Sequence, residues 1–244
     1  MNDLSNKIAL VTGATSGIGE ACAIRFAQAG AFVIVAGRNQ ERGANVVNTI
    51  AANGGKSCFC PLDVDSDSSI ESCKNFIADK FGQIDIVLNN AGIFPVTPPM
   101  ENIDRGSTNK ILDTNTSGLI MMIHNMLPII KEGGVILNNA SVAGLHSFSS
   151  GQCYAYAASK AAVIKVTQLL AKRYGKQYRI NAIAPGVIRT PIFKNFDEER
   201  YSSVIPMGRT GKADEVAAVA NFLVSDDSSY VHGAVITVDG GQSL

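Results

Sequence analysis

The 244 residues are long enough to bury one sizeable core, and a single domain over residues 1–244 is expected. Lys plus Arg and Asp plus Glu each number 21, so the zero formal charge gives no footprint for nucleic acid, a membrane surface or a charged polymer, and a small-molecule partner is expected. Five cysteines, an odd count with no CxxC and no Cys/His pair at zinc spacing, imply a reducing compartment and no metal.

The N-terminus MNDLSNKIALVTG lacks a secretory pattern, and no apolar run approaches the ~20 residues of a membrane span. The C-terminal QSL is not the peroxisomal address SKL, so a cytoplasmic protein is expected. In chain order, seven short apolar runs predict strands: KIALVT, AFVIVAG, KSCFCPL, IDIVLNN, GGVILNN, RINAIAP and AVITVDG. They are continuously apolar rather than alternating, the pattern of strands covered on both faces and hence of a parallel sheet. Between them, GIGEACAIRFAQAGA places apolar residues at helical spacing and DSDSSIESCKNFIADKFG opens on capping residues. Alternating strand and helix predicts a Rossmann-like, doubly wound α/β sheet of about seven parallel strands, with ligands at the carboxyl ends of the strands. Cys58 and Cys60 would share one face of CFCPL as small buried hydrophobes. Residues 190–207, with Pro191 and Pro206, form the least regular stretch and are a candidate lid.

The first strand runs directly into TGATSGIG, residues 12–19, and then into a helix. Glycines allow a tight turn and close backbone approach, and the helix N-terminus offers free N–H groups to a pyrophosphate, so Gly13, Thr15, Ser16, Gly17, Ile18 and Gly19 are candidate cofactor contacts. After the second strand, Arg38 stands where an acidic residue would read a ribose 2′-hydroxyl. Its guanidinium suits a 2′-phosphate, which favours NADP(H), while Glu41 nearby keeps NAD(H) open. Asp63 and Val64 close the third strand beside the adenine, and Asn90, Ala91 and Gly92 of NNAG close the fourth, their small side chains leaving room for a flat ring.

TGATSGIG, NNAG, Ser141, YAASK and NAIAPGVIRTP follow one another in order along nearly the whole chain, which thereby resembles the short-chain dehydrogenase/reductase family. The resemblance implies a nicotinamide cofactor and an Asn, Ser, Tyr and Lys set falling on Asn115, Ser141, Tyr156 and Lys160. It implies further that Asn115 supports a proton relay, that Pro185, Gly186, Ile188 and Thr190 bind the nicotinamide end, and that the chain forms a homotetramer through helices around residues 107–131 and 156–175. Residues 115–117 also read Asn-Thr-Ser, a glycosylation sequon discounted for a cytoplasmic protein.

The chemistry leads to the same group. Carbonyl reduction needs a proton donor for the nascent alkoxide, and a tyrosine of pKa about 10 needs a neighbouring cation to serve. Tyr156 lies one helical turn before Lys160 and shares its face, whereas Tyr154 projects away. The family's usual serine-to-tyrosine interval would select Tyr154. Two extra residues in the loop GLHSFSSGQC reconcile the two criteria, because a loop absorbs insertions and a helix face cannot shift. Tyr154 then becomes a candidate pocket wall, with His146 and Phe148 as substrate-touching loop residues.

The chain's size and ending resemble 3-oxoacyl-carrier-protein reductases, and the lengthened loop resembles hydroxysteroid dehydrogenases. KEGGVILNN offers few basic residues for an acidic carrier protein. The expected activity is interconversion of a ketone and a secondary alcohol. A non-catalytic dinucleotide sensor on the same fold is the alternative of another class, and the intact Ser, Tyr and Lys speak against it.

Overall fold

The computed structural model describes residues 3–95, 98–145, 153–193 and 196–244. Its central sheet holds seven strands, β1 (Ile8–Thr12), β2 (Phe32–Gly37), β3 (Lys56–Pro61), β4 (Ile84–Asn89), β5 (Ile130–Asn139), β6 (Arg179–Pro185) and β9 (Val235–Val238). They lie in the order β3-β2-β1-β4-β5-β6-β9, and every pairing is parallel. The continuously apolar runs are two interleaved faces. Val33, Val35, Ile86, Leu88 and Leu137 point into one core with α1 (Gly17–Gln28), α2 (Gln40–Ala52) and α8 (Ala213–Val224). Leu10, Ile34, Val87, Ile136 and Ala182 point into the other, with α3 (Asp67–Phe81), α5 (Gly118–Met126) and α6 (Tyr154–Tyr174). Successive side chains on a strand point to opposite faces, so burying both faces requires an apolar residue at nearly every position.

The order reverses between β1 and β4: β2 and β3 extend one way and β4 to β9 the other. Helices on opposite faces part at this switch point and leave a crevice above the strand ends. Cys60 and half-buried Cys58 pack with Cys73 of α3 in the second core, as expected of small hydrophobes. No helix among the described residues is long and apolar enough to cross a membrane.

Three details differ from expectation. β3 ends at Pro61, its last residue in register with Gly37, so Asp63 and Val64 lie just beyond the strand. The helix expected around LDTNTSG is interrupted: α4 (Arg105–Leu112) passes through a π-helical turn, Asp113–Ser117, before α5. Such a turn accommodates an extra residue within a helix and is frequent at functional sites. The irregular stretch 190–207 contains the short α7 (Glu198–Ser202), and two-residue strands β7 (Ile188–Arg189) and β8 (Gly211–Lys212) pair around it. The C-terminal turn supports this stretch: Met207 N–H donates to Gly240 O at 3.1 Å, and Val187 N–H to Gln242 Oε1 at 3.0 Å.

Candidate active site

One cavity of about 700 Å³ runs along the carboxyl edge of the sheet across the switch point. At its floor the turn after β1 is held by Thr12, whose hydroxyl accepts from Asn90 N–H (2.9 Å) and Ala91 N–H (3.0 Å). The Asn90 amide donates to Thr12 O (3.0 Å) and Gly13 O (3.3 Å). Gly13 has φ +63°, and a Cβ there would come within 2.9 Å of Ala91 Cα. Gly19, in the first turn of α1, packs so closely under the loop that a Cβ would collide with Gly13 O and the Asn90 amide. The backbone therefore lies open to the cavity, and the N-terminus of α1 faces it through Ser16, Gly17 and Ile18. This cradle and its dipole suit an extended diphosphate.

The expected cofactor residues Gly13, Thr15, Ser16, Gly17, Ile18, Arg38, Asp63, Val64, Asn90, Ala91, Gly92, Tyr156, Lys160, Pro185, Gly186, Ile188 and Thr190 all line this cavity. Gly19 lies beneath it and shapes it indirectly. Arg42 and Asn39 line the cavity beside Arg38, whereas Glu41 does not. The Asn39 side chain accepts from Arg42 N–H at 2.9 Å and caps α2. Arg42 stands in the first turn of α2, just past the N-cap Asn39 that follows Arg38, so the two lie near each other at the start of the helix.

At the other end, Tyr156 and Lys160 share one face of α6. Lys160 is 5% exposed, its Nζ donating to Asn139 O at 2.7 Å and lying 5.7 Å from the centre of the Tyr156 ring. Burial lowers its pKa to about 8. Burial pushes Tyr156 up to about 12, and a hydrogen bond with Ser141 pulls in the opposite direction. The lysine was expected to lower the tyrosine. Here burial sets the direction, and the ammonium is directed at the Asn139 carbonyl rather than at the phenol. Ser141 also caps the turn that follows it, its Oγ accepting from Ala143 N–H at 3.1 Å, so its structural and functional readings hold together.

Asn115, in the π turn, is buried and clamps the segment after β4. Its Oδ1 accepts from Ile93 N–H (2.8 Å), and its Nδ2 donates to Ile93 O (3.0 Å) and to Ser159 Oγ of α6 (3.1 Å). It does not line the cavity. Between it and Lys160 lies Gly92, where a Cβ would come 3.1 Å from Asn115 Oδ1 and 3.6 Å from Lys160 Nζ. Gly144 brings the serine turn onto α6, and a Cβ there would strike the backbone of Lys160 and Ala161. Gly144→Ala is therefore expected to cost about 1–3 kcal/mol by overpacking, seen as a lower urea midpoint at unchanged m-value. An unchanged midpoint would contradict this contact.

Tyr154 is not a pocket wall. It is exposed at the first position of α6, 38% accessible, and does not line the cavity. His146 and Phe148, with the rest of residues 146–152, lie outside the described residues.

A family model described as enoyl-(acyl carrier protein) reductase matches residues 13–243. The chain is 36% identical over 242 residues to cyclohexanol dehydrogenase of Acinetobacter sp. (strain SE19), covering 98% of this chain and 96% of that protein. It is 38% identical over 244 residues to the 3-oxoacyl-[acyl-carrier-protein] reductase FabG of Thermotoga maritima, covering 98% of each. A crystal structure of a short-chain type dehydrogenase/reductase from Mycobacterium marinum superposes with a TM-score of 0.94 at 33% identity, covering 99% of this chain and 97% of that one.

The chain belongs to the short-chain dehydrogenase/reductase family. This short-chain dehydrogenase/reductase is thus an oxidoreductase of a family that uses NAD(P)(H). In it the candidate lid supplies a wall that was not read from the sequence. Phe94 packs edge-on against Tyr156 with ring centres 4.6 Å apart and against Phe193 at 5.6 Å. Phe193 in turn meets Phe196 (5.5 Å) and Tyr201 (5.6 Å). These rings stand more than a hundred positions apart in the chain at the extremes, and no spacing rule links them.

Proposed function

We propose that this enzyme interconverts a ketone and a secondary alcohol with NADP(H), Tyr156 serving as the acid and base. The observation that carries the proposal is the convergence, on one cavity, of a glycine cradle fitting a diphosphate, two arginines at its adenosine end, and a tyrosine hydrogen-bonded to Ser141 and sharing a helix face with buried Lys160.

A nicotinamide held by Pro185, Gly186, Ile188 and Thr190 would supply or remove the hydride equivalent. Ser141 Oγ and Tyr156 Oη bind the substrate oxygen and orient the carbonyl. As the C=O π bond breaks and a C–H bond forms, the Tyr156 proton passes to the oxygen to give O–H. Lys160, with a pKa of about 8, is able to hold or return a proton near neutral pH beside the Tyr156 ring. Asn115 holds the Ile93 segment against α6 through Ser159, and Gly92 lets that segment pass close to both Asn115 and Lys160.

Arg38 and Arg42 would pair with a 2′-phosphate, and Glu41, turned out of the cavity, offers nothing to a ribose diol. Asp63 and Val64 would flank the adenine, and Ile188 and Thr190 would receive the nicotinamide. Thr190 stands against Gly17, close enough to bridge the lid and the diphosphate turn. Ile120 of α5 and Leu169 of α6 are exposed apolar residues on the helices proposed to form a homotetramer, so light scattering should return four times the chain mass.

The test is an initial-rate comparison with a cyclic ketone and NADPH or NADH at equal concentration. Consumption of NADPH at a clearly higher rate is expected. A preference for NADH would overturn the reading of Arg38 and Arg42, and no consumption with any ketone would overturn the activity itself.

A further inference from the structure

Helix α7 carries three charges in one turn, Glu198, Glu199 and Arg200, and the fold sorts them. Glu198 turns away to the residue before β8, its Oε1 accepting from the hydroxyl of Thr210 at 2.5 Å and from Thr210 N–H. Glu199 is exposed and does not line the cavity. Arg200 does line it, beside Tyr201, whose ring closes the aromatic wall that runs through Phe193 and Phe94 to Tyr156. The backbone N–H of Arg200 is spent on Asp197 Oδ1 (3.0 Å), but its guanidinium has neither an ion-pair nor a hydrogen-bond partner among the described residues. The carboxylate among the described lining residues is Asp63, at the adenine end, and residues 96–97, 146–152 and 194–195 contain no Asp or Glu. At the substrate end the described residues therefore present an apolar aromatic wall with Arg200 exposed at its outer end and no carboxylate among the residues that line the cavity beside it.

We propose that Arg200 binds an anionic group of the substrate, and that the preferred substrate is a ketone with an apolar body and a carboxylate. The carbonyl sits at Tyr156 and Ser141, the body lies along Phe94 and Phe193, and the carboxylate reaches the guanidinium at the lid. A forked guanidinium matches a carboxylate with two parallel hydrogen bonds, and because Arg200 is exposed at the rim the contact is screened by salt. This inference rests on the carbonyl-reductase reading above.

The test is a panel of oxo-carboxylates of linear, alicyclic and aryl-substituted type, each paired with its own methyl ester. The readout is the acid-to-ester ratio of kcat/KM with NADPH, for the natural enzyme and for Arg200→Gln and Arg200→Lys. In the best pair the acid is expected to be favoured about tenfold or more, the size of one charge-assisted contact. That ratio should fall toward one in Arg200→Gln, be partly kept in Arg200→Lys, and shrink as ionic strength rises. Esters reduced as well as acids in every pair would overturn the proposal. So would an unchanged ratio in Arg200→Gln accompanied by weaker NADPH binding in a fluorescence titration, which assigns the guanidinium to the cofactor. The parent reading fails differently: no ketone, neutral or charged, would then consume NADPH.

Discussion

Tyr156→Phe is expected to lower kcat by about 10²–10⁴-fold, the range of a lost general acid, while NADPH still binds with ordinary affinity. The phenyl ring keeps the edge-on contact with Phe94 and its place on α6, so the variant removes one oxygen and little packing. Ser141 retains the Ala143 N–H bond that fixes its rotamer, and Lys160 retains its bond to Asn139 O. What disappears is the proton that the nascent alkoxide needs. Tyr154→Phe is the matched control, because Tyr154 is exposed at the helix start and makes no part of the cavity, and its rate should stay within about twofold, since surface substitutions are usually near neutral. Stopped-flow NADPH consumption gives the rates, and fluorescence titration gives the affinities. Survival of turnover in Tyr156→Phe together with its loss in Tyr154→Phe would reverse the assignment.

Arg38→Ser combined with Arg42→Ser is expected to cut kcat/KM for NADPH by about 10²-fold and leave that for NADH nearly unchanged. Both arginines are exposed at the cavity rim, so each contact to a dianionic phosphate is taken at the low end of the ~1.5–3 kcal/mol for a hydrogen bond to a charged group. The backbone there should survive the change, since α2 is capped by the Asn39 side chain through the Arg42 N–H and not through either guanidinium. Steady-state rates with both cofactors at low and high salt provide the check. An equal loss for NADPH and NADH would mean the arginines serve the helix rather than the phosphate.

The choice between two tyrosines shows how far local sequence carries. The i, i+4 relation of Tyr156 and Lys160 is a property of any helix, and α6 spans both residues, so helical geometry alone puts them on one face. The strands were legible for a similar reason. A β-strand alternates faces every residue, so an unbroken apolar run already declares that both sides are covered, as the two cores confirm. Glycine positions were legible where conformation required them, at Gly13 and Gly17 in the left-handed region.

Contacts between distant segments were not legible in this way. Lys160 bonds a carbonyl 21 residues earlier, and Asn115 clamps a backbone 22 residues earlier from within a π turn that no propensity marks. Burial raises Tyr156, and how deeply it is buried, like the direction in which the ammonium points, follows from how the end of β5 meets α6. The same holds for the lid, where Phe94, Phe193 and Tyr201 become one wall only after the strand ends are assembled.

By itself, then, the sequence determined the doubly wound sheet, the glycine turn after β1 and the face of α6 that carries Tyr156 and Lys160, because helix and strand periodicities and glycine conformations are short-range properties of the chain. Only the tertiary structure decided where the ammonium points, that Arg42 joins Arg38, that Tyr154 stands outside, and that the exposed Arg200 lines the cavity rim while its neighbours Glu198 and Glu199 do not. Those outcomes depend on which surfaces become neighbours when the cores close, and burial sets the cost of each charge there.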